Sequence, residues 1–377
     1  SSGSFNFGCV YGDNLTSGLW TVPTSQFVSG GITAYMFDQN SLNFNNLGVN
    51  SYANAGYFAG GATSINTPSA SIEKLSYTTD IMTSSINSNL SQVRYLLAGC
   101  AGEGTKGYFA GGYSPTIVAT TDKITYLSEI IVAQTTANLS QIKTELAGIS
   151  DSLTKGYFAG GRTSTITFSA VTDKVIYSSE ITSAQVSANL SQARTEISGC
   201  NGEGTKGYFA GGKTNNNVAL TDKLTYSTDI TAAQTTANLS QARTGLTAIT
   251  EGSSKGYFAG GVSATYVVTT DKITYSTDTT SAQTTGNLSQ GRDYLAGCSD
   301  RSNKGYFVGG ENGVQITTSD KITFSNDTTV AQTTANLITA RYGLAGVDGG
   351  SAPFVYSEIV TSGKLTTTAA NEIRSTN

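Results

Sequence analysis

Charged side chains recur at fixed places in this chain of 377 residues. Lys74, Lys123, Lys174, Lys223, Lys272 and Lys321 each follow an acid: Glu73, Asp122, Asp173, Asp222, Asp271 or Asp320. A second acid series is Asp80, Glu129, Glu180, Asp229, Asp278 and Asp327. A basic series is Arg94, Lys143, Arg194, Arg243, Arg292 and Arg341. Five more lysines, at 106, 155, 206, 255 and 304, open a repeated Lys-Gly-Tyr-Phe phrase. Together these series hold 17 of the 22 basic residues, so few cations stand outside the repeat.

Three chemistries are open to such residues. Arg94, Arg194, Arg243, Arg292 and Arg341, if they face a central channel, could hold an anionic ligand through paired N–H donors. Two carboxylates could cleave a glycosidic bond. Ringed carboxylates could take calcium, although no Asp-x-Asp-x-Asp loop is present. The chain has no histidine, which removes the usual general base and the commonest metal ligand. No acid pair departs from the repeat in a way that marks an active site. A residue type copied into every unit usually does one structural job in each. The expectation is therefore no catalytic residue, no metal and no cofactor, with Asp-Lys entering a strand and the Arg tying one unit to the next.

The repeat predicts the elements that position these residues. The phrase Lys-Gly-Tyr-Phe-Ala-Gly-Gly stands at 106–112, 155–161, 206–212 and 255–261, with near-copies at 55–61 and 304–310. Its first glycines, 56, 107, 156, 207, 256 and 305, are spaced by 51, 49, 51, 49 and 49 residues. That period is the range of propeller blades. Within one unit, Glu145–Ile149 reads as a short apolar strand a, Lys155–Gly161 as strand b and Thr172–Tyr177 as an alternating strand c. A polar stretch, Ser183–Leu190, reads as an outer strand d. Four short strands separated by turn signals make an antiparallel blade. Residues 1–43 read as an atypical N-terminal closure unit, 44–341 as six repeats, and 342–377 as closing strands with a polar tail. A ring must close to hide its edge strands. Pairing of the two incomplete ends favours seven blades, with six or eight left open.

The diglycine ending strand b, the aromatic before its last apolar position, the Tyr-x-x-Asp/Glu closing strand c and the Arg before strand a resemble the kelch-type β-propeller, also seen in the galactose oxidase central domain. The matches run from residue 44 to about 348. The family's strand-d Trp and the Gly-His after its Arg are missing here. The phrases at Thr221–Asp229 and Asn238–Arg243 resemble more closely the kelch-like arrays of phage virion and tail-associated proteins, notably of cyanophages. That resemblance implies a virion structural protein, tail-fibre or capsid-attached, that contacts a host-surface glycan or protein or neighbouring virion proteins, and that could form a homo-oligomer. A bacterial surface or secreted protein that binds glycan or self-assembles is the alternative, and a carbohydrate-active enzyme is a weaker one.

The composition limits partners further. The net charge of −4 leaves no basic footprint for nucleic acid. No run of about 18 apolar residues predicts a membrane span. The chain opens Ser1-Ser2-Gly3-Ser4, and it reads as a processed product or a fragment. Cys100, Cys200 and Cys298 share a repeat position with Ile149, Ile249 and Val347, so they read as small buried apolar residues, not as disulfide partners. Asn-Leu-Ser at 89, 138, 189, 238 and 287 is formally a glycosylation acceptor and reads as a repeat element.

The informative variation lies in the b–c loops. They start at Tyr113, Arg162, Lys213, Val262 and Glu311, and two of them carry Phe168 and Tyr266. Loops on a rigid scaffold commonly bind, and aromatic side chains stack on sugars or fill partner pockets. Tyr113, Arg162, Phe168, Lys213, Tyr266 and Glu311 are the candidate binding residues. The competing reading is drift in unconstrained loops.

Overall fold

A computed structural model describes residues 54–349 except 85–88, 103, 203 and 253, and the backbone of six short terminal strands. Those strands form the hairpins Leu19–Thr21 with Met36–Asp38, Val28–Ser29 with Ile32–Thr33, and Lys364–Ala369 with Glu372–Thr376. Two compact units result, Ala53–Gly350 and a second made of Ser1–Tyr52 and Ser351–Asn377. The expected strands at Phe5–Val10 and Phe354–Tyr356 lie outside the described residues.

Ala53–Gly350 is a β-propeller. Six four-stranded antiparallel sheets each run in the order a-b-c-d. Blade 2 is typical, with a at Ala98–Gly102, b at Lys106–Ala110, c at Thr121–Thr125 and d at Ile130–Ala133. Blades 3 to 6 follow in sequence. The six a strands succeed one another around the axis.

The expectation of seven blades is corrected to six. Strand a of blade 1 comes from the far end of the repeats: Tyr342–Gly349 pairs with Ala55–Ala62. The last repeat strand thus completes the first blade and adds none of its own. The first and last repeat strands share one sheet, so the ring closes without an incomplete blade. Strand d is also shorter than expected. In blade 3 it spans Ile181–Ala184, and the next residues, Val186–Ala188, form a 3-10 turn that buries Ala188.

The sequence explains why blades pack. Strand b alternates Tyr and Phe, so the two rings leave opposite faces of one sheet. Both faces are covered by neighbouring blades, and Tyr57, Phe58, Tyr108 and Phe109 are fully buried. Each strand-b tyrosine stacks on the aromatic that ends strand c of the next blade. Tyr57 meets Tyr126 at 5.6 Å and Tyr108 meets Tyr177 at 5.7 Å, with ring planes 8° apart in both. The series closes with Tyr306 on Tyr77. Cys100, Cys200 and Cys298 are buried free thiols. Each lies against the strand-b glycine of the following blade, where a Cβ on Gly156 would stand 2.2 Å from the Cys100 Sγ.

Two sets of ion pairs complete the contacts. Before each strand a, a buried cation meets the acid of strand c: Arg194 to Asp222 at 2.8 Å and Lys143 to Asp173 at 2.8 Å are examples. Arg194 also donates to the Phe209 carbonyl, while its own carbonyl accepts from Gly161 of the preceding blade. At the periphery, the acid of each c–d turn reaches back to lysines of the preceding blade, two in five cases and one, Lys74, for Glu129, where Ala55 opens strand b. Asp229 takes Lys155 at 2.8 Å, Lys174 at 2.7 Å and the Tyr157 hydroxyl. Asp80 does the same with Lys304, Lys321 and Tyr306, which joins blade 1 to blade 6. These acids sit at positive φ, 58° for Asp80 and 54° for Asp229, where the turn needs a left-handed residue. The Asn-Leu-Ser asparagines are used by the scaffold as well: the Asn138 Oδ1 accepts from the Thr121 N–H at 2.8 Å, and Asn189, Asn238 and Asn287 repeat the bond.

Partial burial works against the charge on Asp80, Asp229, Asp278 and Asp327, but their lysine and tyrosine partners hold each at about 2. Each lies below the ordinary unfolded value of about 3.9. The stability they add is therefore present above about pH 4 and lost as pH falls toward 2. Thermal melts between pH 5 and pH 2 should show that loss, with a smaller one in a variant carrying Asp229→Asn and Asp278→Asn. At the buried pairs, Arg194→Met should cost about 3–5 kcal/mol in chemical denaturation, because Asp222 is left charged and alone.

Candidate functional site

The b–c and d–a connections meet on one face, around the mouth of the axial channel. Tyr95 bridges to Tyr113, Thr144 to Arg162, Thr195 to Lys213, Thr244 to Val262 and Asp293 to Glu311. Four of the expected binding residues, Tyr113, Arg162, Lys213 and Glu311, therefore occupy one ring position in four blades. Phe168 and Tyr266 stand at the return of their loops, bridged to Arg162 and Val262. Tyr266 and Lys213 are exposed, and the other four are half-buried.

Nearer the axis is a second ring. Leu96, Glu145, Glu196, Gly245, Tyr294 and Gly343 share one repeat position, and all take positive φ between 49° and 66°. Each N–H donates to the carbonyl of the same position in the preceding blade, at 2.6–3.1 Å. The six bonds close on themselves around the mouth. Left-handed backbone at Leu, Glu and Tyr costs about 1–2 kcal/mol per residue, and the closed ring offsets it. Below, the channel narrows where Gly99, Gly148, Gly199, Ala248, Gly297 and Gly346 face one another. A Cβ on Gly148 would lie 2.1 Å from the Gly99 carbonyl oxygen. A cavity of about 140 Å³ lies above this constriction and one of about 60 Å³ below it. Arg301 crosses the lower cavity, bonding Asp348 at 3.0 Å and Ser152 of the opposite blade.

The five arginines considered for an anionic channel ring do not line it. Arg94, Arg194, Arg243, Arg292 and Arg341 are fully buried between blades. Their guanidinium groups are committed to Asp122, Asp222, Asp271, Asp320 and Glu73. An acid 28 residues downstream lies two strands away, within reach of the four arginines in blades 2, 4, 5 and 6.

The mouth is not symmetric. Blades 6, 1 and 2 line it with tyrosines: Tyr294 and Tyr342 lie 6.1 Å apart, Tyr342 and Tyr95 5.6 Å, and Tyr95 and Tyr113 5.7 Å, all tilted or edge-on. Blades 3, 4 and 6 bring carboxylates. Glu145 is buried, and burial followed by the nearby Glu196 pushes its carboxyl up to about 7. Arg162 answers it at 2.6 Å, and the Thr195 hydroxyl donates at 2.7 Å. Asp293 is pushed further, to about 8, by burial, by Glu311 and by Glu196. It is 6% exposed, and its Oδ1 has no hydrogen-bond partner.

Glu145, Glu196, Asp293 and the ring tyrosines escaped the sequence reading. They stand at the start of a strand whose other positions hardly vary, and that local variability was the available signal. Asp293 and Glu311 are an acid pair that faces across strands only in blade 6. Among the described residues no group of three or more acid or cysteine side chains is arranged to hold a metal ion, and no helix is long and apolar enough to cross a membrane. No protein-family model matches the chain, and no curated protein matches it.

Glu145 and Asp293 have folded values above the unfolded range, so they stabilise most below about pH 4 and that contribution is lost as pH rises through 7 to 8. Replacing Asp293 by Asn removes the charge that cannot be solvated. The variant should match the wild type at pH 4 and exceed it at pH 9 by on the order of 1–3 kcal/mol, read by denaturant unfolding at both pH values.

Proposed function

We propose that this chain is a non-enzymatic structural protein of a phage particle, attached at the tail or capsid, and that its propeller presents the b–c loop face to a host-surface glycan or protein or to a neighbouring virion protein. The kelch-like arrangement of diglycine, Tyr-x-x-acid and pre-strand Arg supports the first part, together with the Thr-Asp-Lys and Asn-Leu-Ser-Gln-Ala-Arg phrases. The observation that carries the second is the confinement of variation. Strand b hardly changes around the ring, while the position that meets the mouth reads Tyr113, Arg162, Lys213, Val262 and Glu311. A six-fold scaffold with one unlike face suits recognition of an unlike partner.

Two measurements test this reading. Antibody labelling of intact particles should decorate the tail or capsid, and labelling confined to bacterial surfaces would overturn the virion placement. Binding to a glycan array or to partner virion proteins should fall at least tenfold when Tyr113→Ala and Tyr266→Ala are combined. Unchanged binding would remove the loop face as the contact surface.

A further inference from the structure

The sector of the mouth between blades 4 and 6 holds three carboxylates, and the cation on its rim, Lys213 of the blade 4 loop, is exposed and forms an ion pair with none of them among the described residues. Asp293 and Glu311 are cross-strand partners that exchange both backbone bonds at 3.0 Å. Like charges placed directly opposite destabilise a sheet. Glu196 adds a third negative group, close enough to raise Asp293. Among the described residues none of the three forms an ion pair with Lys or Arg. The adjoining sector shows the contrast. Glu145 has the same ring position as Glu196, and Arg162 neutralises it.

Asp293 gives the second observation. It is 6% exposed, its Oδ1 is unpartnered, and it leans over the gap left at Gly245. A Cβ at Gly245, which lines the mouth, would come within 3.1 Å of the Asp293 Cβ and 3.3 Å of its Oδ2. Tyrosines surround the same spot: Tyr266 from the blade 5 loop, Tyr294 beside it on the axis, and Tyr342 from blade 1 all feel the Asp293 charge. Carboxylates framed by aromatic rings suit an organic cation, which gains from the charge and from the ring faces. The adjoining cavity of about 140 Å³, which Glu196, Gly245 and Tyr294 line, decides its size. An apolar cavity near that volume admits one benzene-sized group, whereas whole small-molecule pockets run to several hundred Å³.

We propose that Glu196, Asp293 and Glu311, with Tyr266, Tyr294 and Tyr342, form a receptor for one lysine or arginine side chain of a partner protein. The inserted ammonium or guanidinium supplies in this sector the neutralising charge that Arg162 supplies beside Glu145 and that the exposed Lys213, at Arg162's ring position in blade 4, does not. The inference rests on the loop face being the recognition surface. It narrows that reading to a protein partner with a protruding basic residue. Because Asp293 is held protonated near neutrality by Glu311, Glu196 and burial, the entering cation displaces its proton. Affinity therefore rises with pH between about 6 and 8.5.

The test uses the full chain and two probes, acetyl-Gly-Lys-Gly-amide and its twin carrying Nε-acetyl-lysine, titrated by calorimetry or NMR at pH 8.5. The free-amine peptide should bind at least tenfold more tightly than the acetylated twin. Its affinity should fall at least fivefold at pH 6, and at least fivefold in both Asp293→Asn and Glu311→Gln. Glu311 is half-buried at a loop start, so E311Q keeps the test decisive if D293N folds poorly. Equal binding of the two peptides, binding of neither, or full binding by both folded variants would overturn the proposal. If the peptides fail while Tyr113 and Tyr266 still govern partner or glycan binding, this inference falls and the loop-face reading stands.

Discussion

Each blade of this propeller is clamped to the one before it by a carboxylate that one blade supplies and the other neutralises. The c–d turn acid leaves its own sheet at positive φ, crosses the seam and takes two lysines of its neighbour, or one at Glu129. A tyrosine hydroxyl joins in at Asp80, Asp229, Asp278, Asp327 and Glu129. Nearer the axis the buried arginine joins the seam differently: its carbonyl accepts from the preceding blade, while its guanidinium holds the acid of its own blade. Between the two lies the stacked aromatic pair. The seam is thus polar outside, aromatic in the middle and ionic again within. The outer clamps and the aromatic stacks are not complete inside a single blade, so a lone repeat cannot bury its own sheet faces and the array gains stability only by closing. Tyr342–Gly349 on Ala55–Ala62 provides that closure.

Such a scaffold can carry strain at its centre. Six left-handed residues, four of them not glycine, share a circular chain of backbone hydrogen bonds at the channel mouth. Once that ring fixes the backbone, side chains at the same position are free to differ. Leu96, the two glutamates 145 and 196, and Tyr294 show it. The outcome is a rigid rim that is aromatic on one side and acidic on the other. Residues in rare backbone conformations concentrate at binding and catalytic places when the surroundings over-determine them, and the rim fits that pattern.

Much of the blade was legible in the sequence because its signals are local. The alternation of Tyr157 and Phe158, the diglycine at Gly160 and Gly161, and the Tyr177-x-x-Glu180 turn each constrain a few neighbouring residues. The shared face of the b–c and d–a loops followed from strand order alone. Blade number was not legible, because closure joins residues about 290 positions apart and Gly343–Val347 looks the same whether it starts a new blade or finishes the first. Strand d misled for a different reason: Thr-Thr-Ala reads as extended, yet the buried Ala137 pulls it into a 3-10 turn. The arginine ring was ambiguous because a six-fold series can point inward or sideways. Burial of Arg94 beside Asp122 settles the direction. The rim acids Glu145, Glu196 and Asp293 were hidden at two adjacent variable positions that lead into an otherwise nearly constant strand.

The central claim is that Asp293 lies in an acidic, cation-seeking gap on an otherwise neutralised ring. Carbon-13 NMR of the carboxyl groups, with the Asp293 signal assigned from its loss in D293N, reads this directly. The account predicts titration near 8 in the free protein and a fall of the apparent value when the lysine peptide is added. Titration near the ordinary value of about 4, unchanged by the peptide, would contradict it.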